Sequence, residues 1–280
     1  MIQLKSPDQI ELMRAAGLVV AEALAAVRAA VAPGVRVLEL DRIAEDLIRE
    51  RGGVPSFLNY LPGLGYLPPD RAPAAGAFLH SICASVNDVV VHGIPDDRVL
   101  RDGDVISIDC GAILEGWHGD AAVTIPVGEV SPEVIAMIEA CEQSLWAGIA
   151  AMHAGGRLRD VGTAIENNIR ATGSYGILTD YGGHGIGTEM HQDPHVLNYR
   201  TRQRGPKLVN GMCLAIEPMI TLGKPKTHLL ADNWAVATDD GSLSAHAEHS
   251  VAITPDGPWV LTAPDGGAER LGQLGVATPA

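Results

Sequence analysis

The chain has 280 residues, 46% of them apolar, and a formal net charge of −14. This is enough apolar sequence for one large core or two fused halves. The acidity excludes a polyanion-binding surface and hence a DNA partner, because phosphate contacts need clustered lysine and arginine. The short run Arg200, Arg202, Arg204 and Lys207 reads as a solvated loop. Cys83, Cys110, Cys141 and Cys213 form no CxxC pair, the pattern of a reduced protein rather than a disulfide scaffold or structural zinc site. No apolar stretch could cross a bilayer without interruption by charge, Gly or Pro, so a cytoplasmic protein with no membrane association is expected.

Ser6-Pro7-Asp8-Gln9 predicts a helix start, with Ser as N-cap and Gln at the capping-box position. That helix runs to Pro33-Gly34. A second places Leu40, Ile43, Ala44, Leu47 and Ile48 on one face and stops at Gly52-Gly53. The stretch 62–76 is rich in Pro and Gly and reads as an inserted loop. Residues 104–112 and 119–126 alternate as the strands of a hairpin. Ser131-Pro132-Glu133 opens a third helix, and a fourth lies between about 158 and 172. Residues 212–220, 234–238 and 246–253 read as further strands. The tail 263–280, rich in Gly, Ala and Pro, is expected to be flexible and to fray.

The two parts of this order resemble each other. Gly34, Arg36, Glu45, Ile48, Arg49 and Gly52 recur as Gly155, Arg157, Glu166, Ile169, Arg170 and Gly173, all at an offset of 121. His92-Gly-Ile recurs as His184-Gly-Ile at an offset of 92, which leaves 29 extra residues in the first part. Pseudo-repeats over about 8–127 and 131–254 in one domain, 1–262, are the expected organisation. Helix pairs followed by hairpins, twice over, predict an α+β fold with helices on the outer face of a sheet.

Each His-Gly-Ile precedes two carboxylates set in apolar strands: Asp109 and Asp120, then Glu217 and Glu248. Acids crowded at a buried strand face cannot all ionise unless cations hold them. Four carboxylates and one imidazole suit two divalent ions, with an oxygen-rich set that favours Mn, Fe or Co and does not exclude Zn. An Asp at a strand end is more often a turn residue, but Asp109 follows Val-Ile-Ser-Ile.

Six ordered motifs carry a resemblance to a known family. They are Asn87-Asp-Val-Val-Val-His92-Gly-Ile-Pro, Ser107-Ile-Asp109-Cys-Gly, His118-Gly-Asp120-Ala-Ala, Gly-Gly-His184-Gly-Ile-Gly, Ala215-Ile-Glu217-Pro-Met and Glu248-His-Ser-Val. Together with their surroundings, over roughly residues 5–262, they resemble the type I methionine aminopeptidases of the pita-bread fold. The resemblance implies a curved, mainly antiparallel sheet around a dimetal site between pseudo-twofold halves. It implies removal of N-terminal methionine from nascent chains when the next residue is small, by attack of a metal-bridging water or hydroxide. It makes Asp109 a ligand of one metal, His184 and Glu217 ligands of the other, and Asp120 and Glu248 bridges, with Glu217 also the proton shuttle. It places His191 on the scissile carbonyl, His92 on the scissile amide nitrogen, and Cys83, Tyr60, Phe78, Met190 and Trp234 around the methionine side chain. A monovalent cation near Asn87, Val89 and Ser244 is implied as well. So are action as a monomer and transient work near the ribosome exit, for which the acidic chain offers no evident docking surface.

Two rival readings share these residues. A proline-specific relative, an Xaa-Pro aminopeptidase or prolidase, has the same metal core but an additional N-terminal domain. A non-catalytic pita-bread binding protein would have lost the ligands that this chain keeps.

Overall fold

The computed structural model describes residues 1–61, 65–66 and 75–279. Helix α1 spans Pro7–Ala30, and its capping box is formed: Gln9 N–H donates to Ser6 Oγ at 3.3 Å and Ser6 N–H to Gln9 Oε1 at 2.9 Å. Helix α2 spans Val37–Glu50, α3 Pro132–Ala150 and α4 Leu158–Thr172. Their buried faces feed two large apolar clusters, one built on α1, α2 and the strands before residue 127, the other on α3, α4 and the strands after 176.

The helices cover a nine-stranded sheet in which the described pairings are all antiparallel. At its centre the hairpin Val105–Leu114 and Trp117–Pro126 meets the strand Glu248–Thr254, followed by Cys213–Ile216, Gly183–Gly185 and Gln192–Val196. Within this sheet, strands of the two halves therefore join at one seam, Trp117–Pro126 against Glu248–Thr254. There Ser250 Oγ donates to Asp120 O at 2.8 Å and accepts from Asp120 N–H at 3.1 Å. Across the hairpin, α1 lies so close that a Cβ at Gly119 would stand 2.7 Å from the Gly17 backbone; only two glycines allow this contact.

Three expectations change. The strand expected over 212–220, with a local break in its ladder at Pro218, divides there between two sheets: Cys213–Ile216 stays in the large sheet, while Met219–Thr221 pairs in a separate three-stranded one. The strand expected over 246–253 breaks likewise at Ala247, with Ser244–His246 in the small sheet and Glu248–Thr254 in the large. Pro218 has no N–H for a ladder, and the chain changes sheet at that point.

The tail is the third. Instead of fraying, residues 268–273 form helix α5, whose Leu271 is fully buried in the second cluster. Arg14 of α1 donates to the carbonyls of Leu261 at 2.7 Å, Ala263 at 2.6 Å and Pro264 at 2.8 Å. Those anchors are remote in sequence, so composition alone reads the segment as loose. Of the expected insertion 62–76, residues 62–64 and 67–74 lie outside the described residues; Gly65–Tyr66 pairs with Tyr60–Leu61.

Candidate metal centre

The hairpin register sets Asp109 opposite Ala122 and Asp120 opposite Gly111. The two aspartates are thus diagonal neighbours on one face, within mutual reach of their side chains. Glu248 also pairs with Ala122, from the other side, which brings it beside Asp120. On the next strands His184 faces Ala215, two residues before Glu217 and on the same face. Ile216 faces His249, so Glu217 and Glu248 come together at the points where both strands leave the large sheet. The sheet change that the sequence did not reveal is what turns these two glutamates toward each other.

His184 Nε2 lies 3.5 Å from Glu217 Oε1 and 3.8 Å from Asp120 Oδ2. One ligand atom each from Asp120, His184 and Glu248 falls within 4.8 Å of the others, as do atoms of Glu217, His246 and Glu248. Asp109 Oδ1, Asp120 Oδ1 and Glu248 Oε1 are buried without a hydrogen-bond partner. Unpartnered buried carboxylate oxygens are costly unless cations compensate them, so these residues fit divalent ions. His184 Nδ1 lies 3.0 Å from Gly185 O, the arrangement that leaves Nε2 as the free donor to a metal.

The acids bear this out electrostatically. Burial pushes Asp109 up to about 7, and pushes Asp120, Glu217 and Glu248 well above the carboxylate range, with mutual repulsion adding for each of these three. Burial also drives His92 and His118 down to about 4 and His184 and His246 to about 3, and lowers His191. The imidazoles are therefore neutral at physiological pH, as ligands and uncharged donors must be.

A pH dependence follows for metal-free protein. Between the unfolded and folded values of a raised acid, the folded state binds more protons, so stability falls as pH rises. The depressed histidines act oppositely, but only below 6.5, where the unfolded chain takes up their protons. Above 6.5 the acids act, joined toward 8.5 by the four buried thiols, which burial raises and which therefore act in the same direction. The melting temperature of chelator-stripped protein is expected to fall between pH 6.5 and 8.5, and added Mn or Co to raise it more at pH 8.5. A metal-free melting temperature that rises over this interval would contradict the electrostatics.

A cavity of about 240 Å³ opens onto this centre. Of the residues expected around methionine, Tyr60, Phe78, Cys83 and Trp234 line it, together with His92 and His191. Phe78 meets Trp234 edge-on at 5.2 Å and Phe57 at 6.5 Å. Met190 belongs to the same apolar cluster but is buried behind the wall, where a Cβ on Gly111 would touch its methyl at 2.8 Å. Phe57 is a lining residue that sequence reasoning missed; it lies on the connection after Val54–Pro55 and shows no periodic signal. His92 has a left-handed backbone, φ 58°, which holds it at the cavity wall near Trp234 and Tyr181. His191 lies beside His184, ring centroids 4.4 Å apart, and its Nδ1 is 2.7 Å from Tyr60 Oη. A tyrosine hydroxyl donating to Nδ1 leaves the His191 proton on Nε2. His246 was also missed.

Away from the acids, Ser244 Oγ lies 3.1 Å from the carbonyls of both Asn87 and Val89. The three residues expected around a monovalent cation therefore lie together, linked by hydrogen bonds from the Ser244 hydroxyl. None of the described helices is long and apolar enough to cross a membrane.

Comparison with known proteins agrees over most of the chain. The model of metallopeptidase family M24 matches residues 11–255. A curated relative, methionine aminopeptidase 1 of Mycobacterium tuberculosis, is 54% identical over 264 residues, which cover 92% of this chain and 94% of that protein. The crystal structure of methionine aminopeptidase from Rickettsia prowazekii superposes with a TM-score of 0.86 at 36% identity, covering 94% of this chain and all of that one. Prolidase from Pyrococcus furiosus shares the fold at a TM-score of 0.70, but with 21% identity and only 65% of its length covered.

Proposed function

This chain belongs to metallopeptidase family M24, and within it to the methionine aminopeptidases of the pita-bread fold; we propose how its residues divide the work. The reaction is hydrolysis of the peptide bond after an N-terminal methionine. Asp109, Asp120, His184, Glu217 and Glu248 would hold two divalent ions, Mn, Fe, Co or Zn. The observation that carries this is the set of buried, unpartnered carboxylate oxygens facing one imidazole. Such ions would supply Lewis acidity and an activated water.

The chain's own groups do the rest. The cavity wall of Phe57, Tyr60, Phe78, Cys83 and Trp234 takes the methionine side chain and excludes water from it. Met190 backs this wall and sets its depth. Glu217, a base at the edge of the cavity, accepts the proton of the attacking water and returns it to the leaving amine. His191 Nε2–H, fixed in that tautomer by Tyr60, donates to the scissile carbonyl oxygen as negative charge develops. His92 faces the scissile amide nitrogen. Asn87, Val89 and Ser244 would hold a monovalent cation that braces the strands behind the centre. The substrates are nascent chains, met by a cytoplasmic monomer that touches the ribosome transiently.

The test is a peptide series. Metal-reconstituted protein should release methionine from Met-Ala-Ser and lose most of that activity when bulky residues replace Ala. Cleavage of Xaa-Pro peptides with none of Met-Ala-Ser would instead support the prolidase reading. No bound metal together with no turnover would support a binding protein.

A further inference from the structure

His246 has a place at the centre that neither the motifs nor the repeat assigns. Its Nε2 is buried and without a hydrogen-bond partner, 3.7 Å from Glu217 Oε2 and 3.9 Å from Glu248 Oε2. The ring is set by its backbone. Thr124 Oγ1 accepts from His246 N–H at 2.8 Å and donates to His246 O at 2.8 Å, and Ser107 Oγ lies 2.8 Å from that hydroxyl. Met219 opposite it in the small sheet fixes the strand. This much framework around an orphaned nitrogen is not needed to fill space, which an aliphatic side chain would do without desolvating a polar atom.

The two oxygens of Glu217 are addressed separately. Oε1 faces His184 Nε2, and Oε2 faces His246 Nε2. An ion held by His184 and Glu217 would draw on the oxygen that faces His184, Oε1. The other oxygen is left to His246. We propose that His246 is a positioning residue: its Nε2, facing Glu217 Oε2 from 3.7 Å, biases the orientation of that carboxylate and so sets which oxygen is offered to an ion and which remains as proton acceptor. The same nitrogen lies 3.9 Å from Glu248 Oε2, so one imidazole faces both glutamates at the strand breaks. Outer contacts of this kind orient ligands and change metal affinity by about 10–100-fold. The proposal rests on Glu217 being a metal ligand.

The test compares wild type with His246→Ala, His246→Gln and Glu217→Ala, all as full-length protein. Co(II) affinity is read by competition with a chelator, together with the Co(II) visible spectrum and kcat and KM on Met-Ala-Ser. His246→Ala is expected to weaken Co(II) binding by about 10–100-fold and to lower kcat with KM little changed. His246→Gln, whose amide N–H can reach the same oxygen, is expected to restore most of both. Wild-type affinity and kcat in His246→Ala would overturn the proposal. So would a glutamine variant as impaired as the alanine one, with an altered Co(II) spectrum, because the imidazole would then be a ligand itself. If the alanine variant does not fold, His246→Leu, which fills the space without an N–H, replaces it with the same readings. Wild-type Co(II) affinity in Glu217→Ala would overturn the ligand assignment beneath the proposal, whereas a loss confined to Glu217→Ala would overturn only the role of His246.

Discussion

Replacing His184 with alanine is expected to abolish turnover and to strip metal from the protein while leaving the fold intact. His184 is the one imidazole set between Asp120 and Glu217, at 3.8 and 3.5 Å, and its strand lies at the side of the sheet away from the hairpin. On the proposed assignment, the ligands that remain without it are all oxygen donors, and the acids lose the neutral group that would draw an ion among them. Loss of an outer contact weakens metal binding by about 10–100-fold, so loss of a ligand should exceed that upper figure. Elemental analysis after dialysis and the rate on Met-Ala-Ser check it together. Full metal content with near-normal rate would remove His184 from the centre. Thermal melting without metal should hardly change, because the side chain supports ions rather than the apolar core.

The second large effect is expected at His191. His191→Ala should lower kcat by about 10²–10³, the scale of losing one donor to a developing oxyanion. KM should move little, since the donor acts on charge absent from the bound substrate. The tautomer argument adds a graded companion: Tyr60→Phe removes the hydroxyl 2.7 Å from Nδ1, freeing the ring to turn, and should cost less than losing His191. A His191→Ala variant with unchanged kcat and raised KM would show that the ring only positions substrate.

Much of the centre was readable because its chemistry is local to short runs. Asp109 follows a buried alternating strand, and the repeat of His-Gly-Ile before paired acids marks where two halves converge. Helix starts were equally plain, since Ser6 and Gln9 form a device four residues long. What escaped were relations between distant residues. Pro218 marks a break in its strand's ladder, but periodicity cannot say to which sheet a strand belongs, so the change of sheet there and the break at Ala247 were invisible, and with them the turn that brings Glu217 toward Glu248. His246 left a faint trace: it stands two residues before Glu248, the spacing of side chains on one strand face. Phe57 left none. The fraying expected of 263–280 failed for the same reason, because Arg14 holds that segment from the other end of the chain.

The seam between the halves bears on which ions can be accepted. Asp120 and Glu248 come from neighbouring central strands cross-locked through Ser250, and neither strand can move outward without breaking paired backbone. A donor set on flexible loops closes around whatever cation arrives. One anchored in the middle of a sheet keeps its own dimensions and discriminates by ionic radius. Cations with short metal–oxygen bonds, about 2.0–2.2 Å, meet such a cage, while Ca(II), which needs about 2.3–2.6 Å and more oxygens, would have to pry it open.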